Sequence, residues 1–386
     1  MIDLLRQEVA LASTWVVKLG TRVLTDSQGR LDRHRIDQLA RQVHRLHQHG
    51  RRVVLVSSGA VAAGMARLGL QHRPLDIPQL QAIAAVGQAH LVEAYEEAFG
   101  RFGIHVAQVL LTAEDVQHRT RYLNVRNTLL ALLRHGVVPV VNENDTVSVE
   151  ELQTTFGDND RLAALVTTLL QGPLLVLLSD VEGLYDGPPE EPGSKVIPTV
   201  TCLDESIFAL AQDRKGSLSK GGMASKLAAA HLAGSVGENC IIASGRDPQV
   251  LLKILRGEPV GTLILPQANQ VPAWKRWIGF TARPRGKLLL DPGAVAAVVR
   301  QGCSLLAAGV TEVQGNFAKG DVVRLCNAQG EELARGLVNY PADQLRRIRG
   351  LKSHQIAAAL GHCPYEEVIH RDNLVLTTSA ASAARK

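Results

Sequence analysis

Several short stretches set charged or amide side chains against apolar runs, where such groups are costly unless something binds them. In VVPVVNENDTV (137–147) an apolar run breaks into Asn142-Glu143-Asn144-Asp145, and Asp158-Asn159-Asp160 follow at the mouth of a helix. Lys18 stands inside VVKLGT (16–21), and Lys226 inside SLSKGGMASKL (217–227). Two lysines can neutralise a phosphoryl group in transfer, and a carboxylate between them would hold both in place. The remaining acids and amides suit a ligand carrying both an ammonium and a carboxylate. Carboxylates accept from the ammonium, while amide and hydroxyl donors meet the carboxylate. Phosphoryl transfer beside an amino-acid pocket is the chemistry these residue types point to.

Each stretch also has a plainer reading. Lys18 can snorkel out at a strand edge. Ser57-Ser58-Gly59-Ala60, in VSSGAVAAG (56–64), bring backbone N–H groups close to an anion or simply allow tight packing. Gly221-Gly222, followed by Met223-Ala224-Ser225-Lys226 at a helix start, make a phosphate-binding arrangement or a glycine hinge with exposed lysines. Lysine is unfavourable at that end of a helix dipole, which favours a bound anion. Ser179-Asp180, in LLSDVEGLYDG (177–187), suit a nucleotide's sugar or phosphates, but many strand ends look alike.

The elements that must position these residues alternate between strand and helix. Buried strands are expected over 14–20, 51–59, 104–111, 137–141, 173–179 and 239–243. Helices are expected over 34–50, 79–101, 122–135, 160–171 and 223–234, from apolar residues at helical spacing. Short apolar strands separated by helices imply an α/β fold, a mostly parallel sheet sandwiched between helices. Ligands of such sheets bind outside the carboxyl ends of the strands, where every stretch above falls. After Trp277 the proline-broken ARPRG leads into short strands, with a hairpin turn at Asn327–Gly330. The expected organisation is a first domain over 10–270, a small β-rich domain over 284–363, and a frayed tail over 364–386.

Composition excludes other classes. Of 386 residues, 46% are hydrophobic and 20% charged, which fits a globular chain with a sizeable core. The net charge of +5 allows anionic ligands, but aromatics at 4% leave little for base stacking. Five scattered cysteines with no C-x-x-C argue against a zinc site or a disulfide framework and fit a reducing cytosol. The N-terminus is no signal peptide, and apolar runs are too short to cross a bilayer, so a soluble cytoplasmic protein is expected. There is no G-x-x-x-x-G-K-[ST]. HRDN (370–373) echoes a protein-kinase catalytic loop but has no D-F-G after it.

The motifs VVKLGT, SSGAVAAG, AVGQ (85–88), GIHVAQVLLT (103–112), VPVVNENDTV, GDND, LSDVEGLY, KGGMASK and GTLILP (261–266), in this order and spacing, closely resemble the amino acid kinase family. Residues 284–362, with GNFAKGDVVRLCN (315–327), resemble the PUA domain found at the C-terminus of many bacterial members. The resemblance implies transfer of the γ-phosphoryl of ATP to the side-chain carboxylate of L-glutamate, giving L-glutamyl 5-phosphate, the first step of proline biosynthesis, with Mg²⁺ required. It implies that Lys18 and Lys226 stabilise the phosphoryl in flight and that Asp160 orients both. Ser58, Asn142, Asp145, Asp158 and Asn159 would hold glutamate. Lys18, Ser179, Asp180 and the segment Lys220, Gly221, Gly222, Met223, Ala224, Ser225 and Lys226 would hold ATP. No protein ligand for Mg²⁺ is implied, since the ion rides mainly on ATP oxygens.

The resemblance further implies feedback inhibition by L-proline, a homo-oligomer (dimer or tetramer), and delivery of the acyl phosphate to a glutamyl-phosphate reductase. Three positions depart from the family pattern, all on the nucleotide side. Arg22 stands where Ser is common, Ser219-Lys220 replace Gly-Thr, and Ser179 replaces Thr. Lys220 could add a third positive charge near the phosphates. The nearest alternatives are a relative acting on aspartate or N-acetylglutamate. The NEND and GDND clusters suit a free ammonium, which N-acetylglutamate lacks. A reading of another class makes the chain an RNA-binding protein with a relic kinase domain, against which Lys18, Asp160 and Lys226 stand intact. For the PUA-like domain, RNA binding and an oligomerisation or regulatory role are both open.

Overall fold

The structure, a computed structural model, describes residues 2–147, 159–170, 172–211, 222–266, 273–362 and 364–377. Chain contacts divide it into two units, residues 1–116 with 120–270 and residues 117–119 with 271–386. The first unit is built on strands β1 (Thr14–Leu19), β2 (Arg52–Ser57), β3 (Val106–Leu111), β4 (Val138–Glu143), β5 (Pro173–Ser179), β6 (Thr199–Val200), β7 (Cys240–Ser244) and β8 (Thr262–Ile264). They form one sheet in the order β3-β4-β2-β1-β5-β7-β8-β6. Every neighbouring pair is parallel except β7 with β8. The chain crosses from the β4 side of β1 to the β5 side, so strand order reverses at β1 and opens a crevice at the carboxyl ends of β1 and β5.

Buried residues occupy both faces of the central strands, as a covered parallel sheet requires. Trp15, Val17, Leu55, Val140 and Val176 point to the face covered by α3 (Arg33–Gln48) and α5 (Ile77–Gly100), where Leu39, Val43, Leu91 and Tyr95 meet them. Alternation sends Lys18 to the other face, where α7 (Asn159–Leu169), which follows α6 (Arg119–Arg134) in the chain, lies against β1, β2, β4 and β5. Apart from Arg161, α7 is buried all round, as an apolar core helix must be. Asp32 caps α3 by accepting from the Arg35 N–H, and Asp76 caps α5 through the Gln79 N–H.

Two expectations about the first unit need correction. The first unit begins ahead of residue 10: in α1 (Ile2–Ala10), buried Arg6 donates to the carbonyls of Pro198, Val260 and Gly261 at 2.6, 2.7 and 3.0 Å. These main-chain acceptors, with the Glu258 carbonyl at 3.4 Å, offset the cost of burying that guanidinium. The fourth strand also runs past Val141, because Asn142 and Glu143 continue the ladder opposite Leu110 and Leu111.

The second unit pairs β9 (Gly286–Leu290), β11 (Val310–Gly315), β12 (Val322–Cys326), β13 (Glu332–Leu337) and β15 (Leu374–Leu376) in the order β11-β9-β12-β13-β15. A two-stranded sheet joins β10 (Leu305–Leu306) to β14 (Glu367–Ile369). Leu288, Val323, Leu325, Tyr340, Ile348 and Ile369 share its core. Asn327 to Gly330 turn back between β12 and β13, with Gly330 at φ +85°, a conformation favouring glycine. The expected tail over 364–386 is therefore not a tail throughout: β14 and β15 are paired strands of this unit. Short apolar runs too brief to signal alone gain partners only once the sheets are assembled.

Candidate active site

At the carboxyl ends of β1 and β5, three charged groups are almost wholly buried. Lys18 is 3%, Lys226 4% and Asp160 0% exposed. The Lys18 Nζ lies 2.7 Å from Asp160 Oδ1, and the Lys226 Nζ donates to Asp160 Oδ2 at 3.1 Å. The Ser225 hydroxyl donates to the same Oδ2 at 3.4 Å. Asp160 is the second residue of α7, where a carboxylate gains from the positive end of the helix dipole. Lys226 is the fourth residue of α8 (Met223–Ser235), an end that disfavours a cation, so Asp160 offsets both its burial and its position. The ionised trio sums to one positive charge, a field suited to an anionic group. Cys240, fully buried nearby, has its thiol pushed far up by burial and then by the Asp160 charge.

One residue earlier, Asn159 opens a neutral assembly. Its Nδ2 donates to Ser58 Oγ at 2.9 Å, to Asn142 Oδ1 at 3.0 Å and to the Ser57 carbonyl at 3.3 Å. Asn142 Nδ2 donates in turn to Gln88 Oε1 at 2.8 Å, and the Glu143 N–H donates to Asn142 Oδ1 at 2.9 Å. Ser57 ends β2 and shares a 2.9 Å hydrogen bond with the Tyr95 hydroxyl. Burial raises the Tyr95 phenol far above its ordinary value, with Ser57 opposing. Gly59, at φ +104°, turns β2 into α4 (Ala60–Arg67) and so sets Ser58 at the mouth of the crevice.

Gln88 reaches this assembly because α4 and α5 touch backbone to backbone. A Cβ at Gly87 would stand 1.8 Å from the Ala60 carbonyl oxygen, and one at Gly64 would stand 1.9 Å from that of Ile83. Gln88 was absent from the residues expected at the site. The signal was available: Gln88 is polar on the buried stripe of Ala84, Leu91 and Tyr95.

On the far side of the crevice, Ser179 ends β5 and donates to Asp180 Oδ1 at 3.1 Å. Arg22, in the short helix α2 (Thr21–Leu24), donates to Asp180 Oδ2 at 2.9 Å. Partial burial pushes the Asp180 carboxyl up, but hydrogen bonds from Arg22, its own backbone N–H and Ser179 outweigh it and hold the group below its ordinary value. Met223 and Ala224 form the first turn of α8 behind Gly222. Asp145 is buried just past the end of β4. Asp158, Lys220 and Gly221 lie outside the described residues. Among the described residues, no cluster of three or more His, Cys, Asp or Glu side chains is placed to hold a metal ion.

Residues 13–244 match the amino acid kinase family and residues 286–360 the PUA domain. A glutamate 5-kinase of Rhodopirellula baltica is 51% identical over 371 residues, covering 96% of this chain and 95% of its own. Those of Thermus thermophilus and Nitrosococcus oceani are 49% and 48% identical, each over 96% of this chain and 98% and 99% of their own. The chain belongs to the amino acid kinase family, among its glutamate 5-kinases, and carries a PUA domain behind the kinase fold.

Proposed function

We infer that the chain transfers the γ-phosphoryl of ATP to the side-chain carboxylate of L-glutamate, giving L-glutamyl 5-phosphate and ADP, the first step of proline biosynthesis. The observation that carries this reading is the buried Lys18–Asp160–Lys226 trio beside the Ser58–Asn159–Asn142 hydrogen bonds on one sheet edge. A carboxylate oxygen of glutamate forms the new bond to phosphorus as the bond from phosphorus to the β–γ bridging oxygen breaks. The nucleophile is already anionic, so no general base is needed, and positioning with charge stabilisation does the work. Lys18 and Lys226 meet the charge on the moving phosphoryl, and Asp160 fixes their separation. Ser58, Asn142, Asp145 and Asn159 hold glutamate, with Asp158 assigned from the sequence motif alone. Ser179, Asp180 and the first turn of α8 hold ATP, with Lys220 and Gly221 likewise assigned from sequence. Mg²⁺ carried in with the nucleotide would supply neutralisation of phosphate charge, since no cluster among the described residues is placed to hold the ion.

The same reading includes a cytoplasmic location, feedback inhibition by L-proline, a dimer or tetramer, and delivery of the acyl phosphate to a glutamyl-phosphate reductase. Their support is the family resemblance; among the described residues no helix is long and apolar enough to cross a membrane. RNA binding by the second unit is supported by its PUA match and tested by whether RNA affinity falls with salt. The decisive assay is ATP- and Mg²⁺-dependent hydroxamate formation in hydroxylamine with L-glutamate, L-aspartate or N-acetyl-L-glutamate. Turnover confined to L-glutamate supports the reading, and preferential turnover of another acceptor reassigns the substrate.

A further inference from the structure

The three carboxamides of Gln88, Asn142 and Asn159 form a chain whose direction is fixed. An amide's oxygen and nitrogen must be assigned from the hydrogen bonds around them. Here one main-chain group decides: the Glu143 N–H can only donate, so the atom of Asn142 that it meets at 2.9 Å is oxygen. Asn159 must then present its NH₂ to that oxygen, and the NH₂ also faces the Ser57 carbonyl, which can only accept. The other arm of Asn142 is consequently NH₂, so the Gln88 atom that it meets is oxygen. No member can flip without setting donor against donor or acceptor against acceptor.

Such a chain has two unlike ends. Gln88 Nε2 is a buried donor and Asn159 Oδ1 a buried acceptor, and neither finds a partner among the described residues. Both side chains are more than nine-tenths buried, at 8% and 1% exposure. Buried amide groups without partners are costly, and here the two ends of one hydrogen-bonded chain are a donor and an acceptor.

Resting on the glutamate reading above, we propose that Gln88 is a specificity-determining residue for the amino-acid substrate: its Nε2 donates to the α-carboxylate while Asn159 Oδ1 accepts from the α-ammonium. The side-chain carboxylate is then left free for the phosphoryl group. One donor end and one acceptor end read a zwitterion directly, and the Asn142 link between them holds their polarity. A ligand whose α-carboxylate is replaced by an amide still has an oxygen for Gln88 but loses the charge that strengthens the bond.

The test is a substrate switch. In Gln88→Glu one carboxylate oxygen still accepts from Asn142, while the other, facing the substrate, accepts instead of donating. The two acceptors compared are L-glutamate and its α-amide, L-isoglutamine, which keeps the side-chain carboxylate that takes the phosphoryl. The preference of kcat/KM for L-glutamate over the α-amide is expected to fall by about tenfold or more in Q88E, with KM for ATP changed by less than about twofold. An unchanged preference, or equal losses on both acceptors, overturns the proposal. Failure of the wild type to use L-glutamate at all overturns the underlying reading instead. Should Q88E not fold, the wild type decides: the proposal requires the α-amide to be at least about tenfold poorer, and equal use of the two overturns it.

Discussion

Asn159 and Asp160 are adjacent and open the same helix, yet they anchor two different polar assemblies. Asp160 holds two ammonium groups by charge, at 2.7 and 3.1 Å. Asn159 joins a neutral chain of amides and hydroxyls with a donor at one end and an acceptor at the other. Charge in a water-poor crevice is worth most where charge must move, and it carries little directional information. Dipoles of fixed polarity are weaker but read the arrangement of a ligand's groups. The first assembly is suited to lowering a barrier and the second to choosing what enters.

The widest gap between the two is expected from Asp160→Ala. Removing one partner from a buried ionic cluster leaves uncompensated charge and costs about 3–5 kcal/mol of stability, seen as a lower denaturant midpoint. Ser58→Ala removes one neutral bond to Asn159 and is expected to cost about 0.5–1.5 kcal/mol in the same titration. Equal losses would erase the distinction between charged and neutral halves.

The placement of Gln88 is broken more gently through Gly87. A Cβ there meets the Ala60 carbonyl oxygen at 1.8 Å, so Gly87→Ala is expected to destabilise by about 1–3 kcal/mol and to raise KM for L-glutamate more than KM for ATP. Gly100, with nothing within 4 Å of an added Cβ, is the control: Gly100→Ala is expected to change stability by less than about 1 kcal/mol.

The smallest effect is expected at Arg22, whose ion pair with Asp180 is 58% exposed on the arginine side. Arg22→Ser should cost no more than about 1 kcal/mol, falling with added salt. The Asp180 carboxyl is held below 3.8 in the folded chain, so what it contributes is present above that value and lost as pH falls through the lowered one. The stability difference between R22S and the parent should therefore hold at neutral pH and shrink in strong acid. A difference that grows on acidification would contradict the pairing.

The charged half is more legible in the sequence than the neutral half. Lys18 announces itself because a cation among valines and leucines has to be paired, and Asp160 and Lys226 each sit at a helix start where their charge matters. Asn159 and Asn142 were visible as polar breaks beside apolar runs. Gln88 is legible as a polar residue on the buried stripe of its helix, but not as a partner of Asn142, since that meeting depends on Gly87 and Gly64 bringing two helices into backbone contact. Arg22 was legible as an unusual residue but not as the partner of Asp180, since 158 positions separate them in sequence. The strands Glu367–Ile369 and Leu374–Leu376 were missed for a similar reason, their stability coming from partners far away in the chain.

On the proposed function, the charged trio drives transfer while the amide chain holds the amino acid. Lys226→Ala separates the two most directly, with hydroxamate formation read for turnover and titration calorimetry for L-glutamate binding. kcat is expected to fall by about 10²–10³-fold with L-glutamate affinity held within about twofold. Retained turnover, or binding lost in step with turnover, would contradict it.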